Sequence, residues 1–259
     1  METNSELDEV KRDVAVANRV LAELGLATGV LASLGHASLR MPSEPQHFVV
    51  KGRGYAIDAL ARMRPEDMVV CDLDGRLVEG PPRATQCFEV KMHACILRAR
   101  PDVQSVVHAH PRFTVLMSVL QAELVPMCQE GIRLVRRPLP VYPHVKTVQS
   151  EEEGQEVAAL LGDSPAIILR GHGATTTGAS LADAVTNMLW LEEQARMNWY
   201  AYCAAGPDHP RIADDLIDEM DNRPGLADLP HFREALSGQR QPRVGGLWKH
   251  YADLVSHDL

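Results

Sequence analysis

No stretch of this sequence approaches the ~20 consecutive apolar residues needed to span a bilayer. The N-terminus, Met1-Glu2-Thr3-Asn4-Ser5-Glu6, is acidic and polar and lacks the positive region and apolar run of a secretory signal. There is no Cys-x-x-Cys. The five cysteines, Cys71, Cys87, Cys95, Cys128 and Cys203, are odd in number and widely spaced. That argues against a disulfide framework and for reduced, mostly buried thiols in a cytoplasmic protein. Nor is there an excess of positive charge: the net charge of -9 excludes a broad basic face for nucleic acid, while leaving room for a local basic pocket and a small anionic substrate. Repeats, low-complexity tracts and Gly/Ser linkers are absent. What remains is a 259-residue chain, 45% hydrophobic and 24% charged, with the composition of a globular protein of one or two domains.

Apolar periodicity predicts a first helix, capped by Ser5 or Asp8 and running to about Leu24, with Val14, Val16, Ala17, Val20, Leu21 and Leu24 on one face. Short strands follow at Ala37 to Arg40, Phe48 to Lys51 and Met68 to Cys71, and Asp74-Gly75 reads as a hairpin turn, which is favoured over Asp72 and Asp74 as metal ligands. Gln86 to Ala99 is a predicted helix stopped by Arg100-Pro101. A strand ending at His108 and His110 comes next, and Pro111 opens a helix to about Leu120. Ile132 to Val135 is a strand candidate, whereas Pro138 to Pro143 is too proline-rich for an inner strand. Glu151 to Leu161 is a helix, Ala166 to Leu169 a buried strand, and Leu181 to Cys203 the longest helix, with Leu189, Glu193, Met197 and Tyr200 on one face. Gly206-Pro207 ends it, and the tail reads as short helices and loops. Strands and helices mix without a strict βαβ beat, so the fold class is α/β or α+β in layers.

Chemistry concentrates in Val106-Val107-His108-Ala109-His110-Pro111. Alternate residues of a strand share a face, so His108 and His110 point the same way. A pair of this kind is commonly structural. A catalytic metal site needs about three protein ligands and an open position, so a third ligand decides the matter. His172 in Arg170-Gly171-His172-Gly173 is that candidate. Glu89 and His93, four apart on the predicted helix, share a face and bring a carboxylate that can serve as general acid or base.

In this order, Glu89-x-x-x-His93, Arg100-Pro101-Asp102-Val103, Val107-His108-x-His110-Pro111 and Gly171-His172-Gly173 with Gly178 and Ala184, the chain resembles the class II aldolase/adducin family from about Val14 to Tyr200. The resemblance implies a three-layer α/β/α sandwich around a central, largely antiparallel sheet. It implies a divalent metal on His108, His110 and His172, zinc first with manganese or iron as alternatives, and Glu89 as the proton carrier. It also implies a homotetramer with active sites at subunit interfaces. Residues 1–206 would form the catalytic domain. Residues 207–259 would be an extension packed on that domain or on a neighbouring subunit.

Sugar-phosphate aldolases of this family hold phosphate with small polar residues at three places where this chain departs. It has Gly35-His36-Ala37-Ser38-Leu39-Arg40, then Val50-Lys51-Gly52-Arg53-Gly54, then Cys87-Phe88 before Glu89. Gly-His-x-Ser is similar instead to the branch of metal-dependent decarboxylases acting on hydroxylated aromatic or heteroaromatic carboxylates. The expected function is therefore a metal-dependent carbon–carbon lyase, with decarboxylation ahead of aldol cleavage. A non-catalytic adducin-like scaffold is the alternative from another class. Candidate substrate contacts are His36, Ser38, Arg40, Lys51, Arg53 and Tyr251, the bases as carboxylate clamps. Tyr202, Trp248 and Tyr251 are candidates to reach a neighbour's site. Arg133, Arg136 and Arg137 read as a subunit contact or a solvated edge.

Overall fold

The computed structural model describes residues 2–225, 228–236 and 245–259. Helix α1 (Glu2–Glu23) precedes strands β1 (His36–Arg40), β2 (His47–Arg53), β3 (Met68–Asp72), β4 (Leu77–Glu79) and β5 (Thr85–Gln86). Then come α2 (Val90–Ala99), β6 (Ser105–Ala109), α3 (Arg112–Val119), β7 (Val141–Tyr142), α4 (Glu151–Leu161), β8 (Ala166–Leu169), β9 (Gly173–Gly178) and α5 (Leu181–Ala205). Short helices α6 (Asp214–Asp221), α7 (Pro230–Leu236) and α8 (Gly245–Val255) follow. The strands form one sheet in the order β4-β3-β2-β1-β6-β9-β8-β7, with β5 paired to β2. Every pairing is antiparallel except β7 with β8. This is the expected α/β sandwich with a largely antiparallel sheet. Among the described residues no helix is long and apolar enough to cross a membrane.

Strand alternation builds a core on each face. In β6, Val107 and Ala109 join the core shared with Val14, Leu21, Val185 and Leu191 of α1 and α5. Val106 joins the other, with Met92 and Ile96 of α2 and Val157 and Leu161 of α4. His108 has the parity of Val106, so β6 delivers it to the α2 side. The register completes the placement: His108 lies opposite His36 of β1 and opposite Thr175 of β9.

Several boundaries differ from the sequence expectation. Helix α1 begins at Glu2, so Ser5 and Asp8 lie inside it. Helix α2 begins at Val90, not Gln86, because Thr85 and Gln86 pair with Arg53 and Gly52 of β2 and hold the chain extended. Glu89 is thus the residue just before the helix rather than part of its face. Ile132 to Val135 form turns and a bend, not a strand. Among the prolines, Val141–Tyr142 makes two residues of strand at the sheet edge, where proline is tolerated. The buried face of α5 runs through Leu181, Ala184, Val185, Met188, Leu191 and Ala195. Leu189 and Glu193 instead line a cleft.

Two of the three arginines of the basic cluster, Arg133 and Arg136, pair within the chain. Arg133 pairs with Asp221, and Arg136 Nη2 donates to Asp218 at 2.6 Å, tying this loop to α6. In the tail, residues 226–227 and 237–244 lie outside the described residues. Trp248, Tyr251 and Val255 of α8 pack into the α1 core, and Arg19 Nη1 donates to the Val255 carbonyl at 3.0 Å.

Candidate active site

Four groups from three separate stretches of the chain meet on the α2 side of the sheet, at the C-terminal end of β6. The ligand-capable atoms of Glu89, His108, His110 and His172 all lie within 4.8 Å of one another. Glu89 Oε2 is 3.2 Å from His108 Nε2, and Glu89 Oε1 is 3.7 Å from His172 Nε2. The three imidazoles stand edge-on, with ring centroids 5.1, 5.1 and 4.7 Å apart. His110 follows the last residue of β6 and keeps the strand's alternation, so the i, i+2 spacing does bring it beside His108.

The Gly-His-Gly segment has a steric cause. Gly171 sits at φ 67°, in the left-handed region, and turns the chain between β8 and β9. A Cβ on Gly173 would lie 2.4 Å from the Ala109 carbonyl oxygen and 3.1 Å from His108 Cε1. Only glycine lets β9 approach β6 closely enough for His172 to reach the other two rings.

The donor set fits a divalent cation on grounds of its hydrogen bonds. His108 is fully buried, and its Nδ1 lies 3.1 Å from Thr175 Oγ1. The Thr175 hydroxyl in turn donates to Met92 Sδ at 3.2 Å. With its hydrogen so engaged, Thr175 accepts from His108 Nδ1–H, which leaves the Nε2 lone pair aimed into the cluster. That Nε2 is buried with no hydrogen-bond partner among the described residues. A fixed tautomer with an orphaned inward nitrogen is what a metal-ligating histidine needs. Burial holds the His108 imidazole well below its ordinary pKa. Burial, then repulsion from His172, brings His110 down to about 4. Both are therefore neutral near pH 7, the ligating form. Burial pushes the Glu89 carboxyl up, but His108, His36 and His172 outweigh it and hold it below the usual carboxylate range.

The other sequence candidates divide. His36 Nε2 faces Glu89 Oε2 at 3.6 Å and its ring stacks on His108, so it belongs to the cluster. Lys51 is fully buried and pairs with Asp58, whose other oxygen accepts from Arg53 Nη1 at 2.8 Å. Arg53 also lies over the Phe88 ring at 4.4 Å, and its Nε is buried without a hydrogen-bond partner among the described residues. Both cations are near enough to His36 to disfavour its protonated form, after the larger effects of burial and Glu89. Two cations against the Asp58 carboxylate leave a net positive charge near His36. Arg40 is not part of it. Its guanidinium donates to the carbonyls of Pro45 and Leu97, each at 2.6 Å, and ties loops together. Ser38 is spent on His93, 2.7 Å away. Tyr251 lines a cleft of about 640 Å³ with His110, Arg112 and Trp190 of its own chain.

A family model described as Class II Aldolase and Adducin N-terminal domain matches residues 12–199. The chain belongs to the class II aldolase and adducin family. Over 252 residues it is 34% identical to a 3,4-dihydroxyphthalate decarboxylase of Arthrobacter keyseri, covering 94% of this chain and 92% of that one. Over 221 residues it is 32% identical to the protein of the same name from a Terrabacter strain, covering 82% and 90%. A solved aldolase II superfamily protein from Pseudomonas syringae shares the fold, with a TM-score of 0.77 at 22% identity over 96% of this chain and 93% of that one. With near full-length decarboxylase relatives and an intact carboxylate–imidazole cluster, this class II aldolase family member is an enzyme rather than a scaffold.

Sequence reasoning missed Thr175, Met92 and Asp58. Thr175 carried a signal, since it stands three residues after His172 on a strand that must pair with the His108 strand. Asp58 and Met92 carried none, because their roles arise only from tertiary contact.

Proposed function

We propose that this enzyme is a divalent-metal-dependent decarboxylase of a hydroxylated aromatic dicarboxylate, of the 3,4-dihydroxyphthalate class. The observation that carries this reading is the 34% identity over 94% of the chain to a decarboxylase of that name. The positive charge of Lys51 and Arg53, where sugar-phosphate aldolases carry hydroxyl donors, supports it. His108, His110 and His172 would hold the cation, zinc first, since imidazole also accepts manganese and iron. Bound there, a divalent cation supplies Lewis-acid stabilisation of negative charge on a substrate oxygen.

The chain's own residues account for the rest. When the carbon–carbon bond breaks, carbon dioxide leaves and the electron pair remains on the ring carbon, which needs a proton. Glu89, kept ionised by its imidazole neighbours, accepts a proton from a substrate hydroxyl and returns it to that carbon. Lys51 and Arg53 hold the carboxylate that is retained, in paired N–H···O bonds. Residues 1–206 would be the catalytic domain and 207–259 an extension of it, a reading supported by Tyr251, which lines the cleft with His110. Phe88, Val119 and Val145 are exposed apolar side chains near Glu89 and the Gly171 turn. They support subunit contacts next to the site in a cytoplasmic homotetramer.

The test is a paired assay on metal-loaded protein. Carbon dioxide release from 3,4-dihydroxyphthalate, with none of the carbon–carbon cleavage of a sugar phosphate, is expected. Cleavage of the sugar phosphate alone would replace this reading with the aldolase one.

A further inference from the structure

Running back from Glu89 and from His36, which stacks on His108, lies a buried row of polar groups that the proposed reaction leaves unused. Ser38 Oγ is 2.7 Å from His93 Nδ1 and 3.3 Å from the Val106 carbonyl oxygen. His93 Nε2 is 2.7 Å from His36 Nδ1, and His36 Nε2 faces Glu89 Oε2 at 3.6 Å. Ser38 and His93 are fully buried. His36, His93 and Cys87 also have the spacing of a second cation site. The distances rule against it: two nitrogens at about 2.0–2.1 Å from one tetrahedral zinc stand about 3.3 Å apart, and these two stand 2.7 Å apart. The contact is a hydrogen bond.

A neutral imidazole has one donor and one acceptor nitrogen, so the row has only two arrangements. In one, every hydrogen points toward Glu89: Ser38 O–H to His93 Nδ1, His93 Nε2–H to His36 Nδ1, and His36 Nε2–H at the carboxylate. In the other, every hydrogen points away and ends on the Val106 carbonyl, which leaves a His36 lone pair against a carboxylate oxygen. The second gains one long hydroxyl–carbonyl bond. The first turns a polarised N–H toward a charged oxygen 3.6 Å away, an electrostatic attraction in a buried, low-dielectric site, and removes the repulsion between lone pair and carboxylate. The first arrangement wins.

We propose that Ser38 and His93 are positioning residues that lock His36 in its Nε2–H tautomer and aim that N–H at Glu89, keeping the carboxylate oriented toward the reacting carbon. The catalytic consequence rests on the reading of Glu89 as proton carrier, whereas the tautomer does not.

The test therefore has two arms. In nitrogen-15 histidine-labelled, zinc-loaded, full-length protein, long-range proton–nitrogen correlation is expected to show His36 and His93 both as Nε2–H tautomers. Ser38→Ala should release the His93 tautomer, and His93→Leu that of His36. His93→Gln, whose amide N–H can donate to His36 Nδ1, should restore it. His36 found as the Nδ1–H tautomer, or left unchanged by Ser38→Ala and His93→Leu alike, overturns the proposal. In turnover, His93→Leu should lower kcat about 10- to 100-fold with KM and zinc content held, and His93→Gln should recover most of it. Equal loss in the Leu and Gln variants also overturns it. If wild-type protein does not turn over 3,4-dihydroxyphthalate, the substrate reading fails, and the tautomers still decide this proposal.

Discussion

Thr175→Val isolates the hydrogen bond behind His108. Valine nearly matches threonine in shape, so the β6–β9 packing around a fully buried position survives. What is lost is the acceptor for His108 Nδ1–H, 3.1 Å away. With a cation on Nε2 the proton must stay on Nδ1, where it is now buried and unsatisfied, at a cost of about 1–3 kcal/mol. Loss of such an outer partner lowers metal affinity about 10- to 100-fold, which agrees with that energy. In the metal-free protein the ring has an escape. The proton moves to Nε2 and points at Glu89 Oε2, 3.2 Å away. Metal affinity should therefore fall much more than metal-free stability. Competition with a chromophoric chelator measures the first, and urea unfolding of metal-free protein the second. Unchanged zinc affinity in Thr175→Val, or a stability loss as large as the affinity loss, would refute the assignment of His108 Nε2 as an inward ligand.

Glu89→Gln keeps the shape and the metal but removes the proton carrier, so zinc content should hold while kcat falls about 10²- to 10⁴-fold. Normal turnover by that variant rejects the role. Arg53→Leu should raise KM for an aromatic dicarboxylate about tenfold or more with a smaller change in kcat, and steady-state kinetics in the two variables separates these. Gly173→Ala places a Cβ 2.4 Å from the Ala109 carbonyl oxygen, so it should disrupt the three-histidine cluster and abolish zinc binding, read by elemental analysis. For pH, the His110 pKa is about 4 in the folded state against 6.5 when unperturbed. A folded value below the unfolded one gives stability that is whole above pH 6.5 and lost as pH falls toward 4. The loss is up to about 3 kcal/mol, less what solvent screening removes. Urea titrations of metal-free protein at pH 7 and pH 4.5 should differ in that direction.

What was legible in the sequence was whatever depends on short-range geometry. The i, i+2 spacing of His108 and His110 survives because a strand alternates regardless of its neighbours. The glycines around His172 signal a turn and a close approach, and both are present. Glu89 was visible as a residue type at a spacing, but not as the residue before a helix, because the pairing of β5 with β2 sets where α2 begins. The fate of each basic and hydroxyl side chain was beyond reach for the same reason. Arg40 and Lys51 look alike in sequence. One is surrounded by backbone carbonyls and the other pairs with the Asp58 carboxylate, and only the tertiary fold separates them. Ile132 to Val135 have strand composition, yet they form turns and a bend. The buried face of α5 is mixed because Gln194 and Asn198 turn inward to bond the backbone of Met127 and Val125, which blurs the apolar period.

The central claim is a three-histidine, metal-dependent decarboxylase, and carbon dioxide release from 3,4-dihydroxyphthalate tests it most directly. The measurement compares chelator-stripped wild-type protein before and after one equivalent of zinc, manganese or iron, with His108→Ala alongside. Release that vanishes on stripping, returns with one of these ions, and stays absent in His108→Ala is the expected result. Release that persists without metal, or at the wild-type rate in His108→Ala, would contradict it.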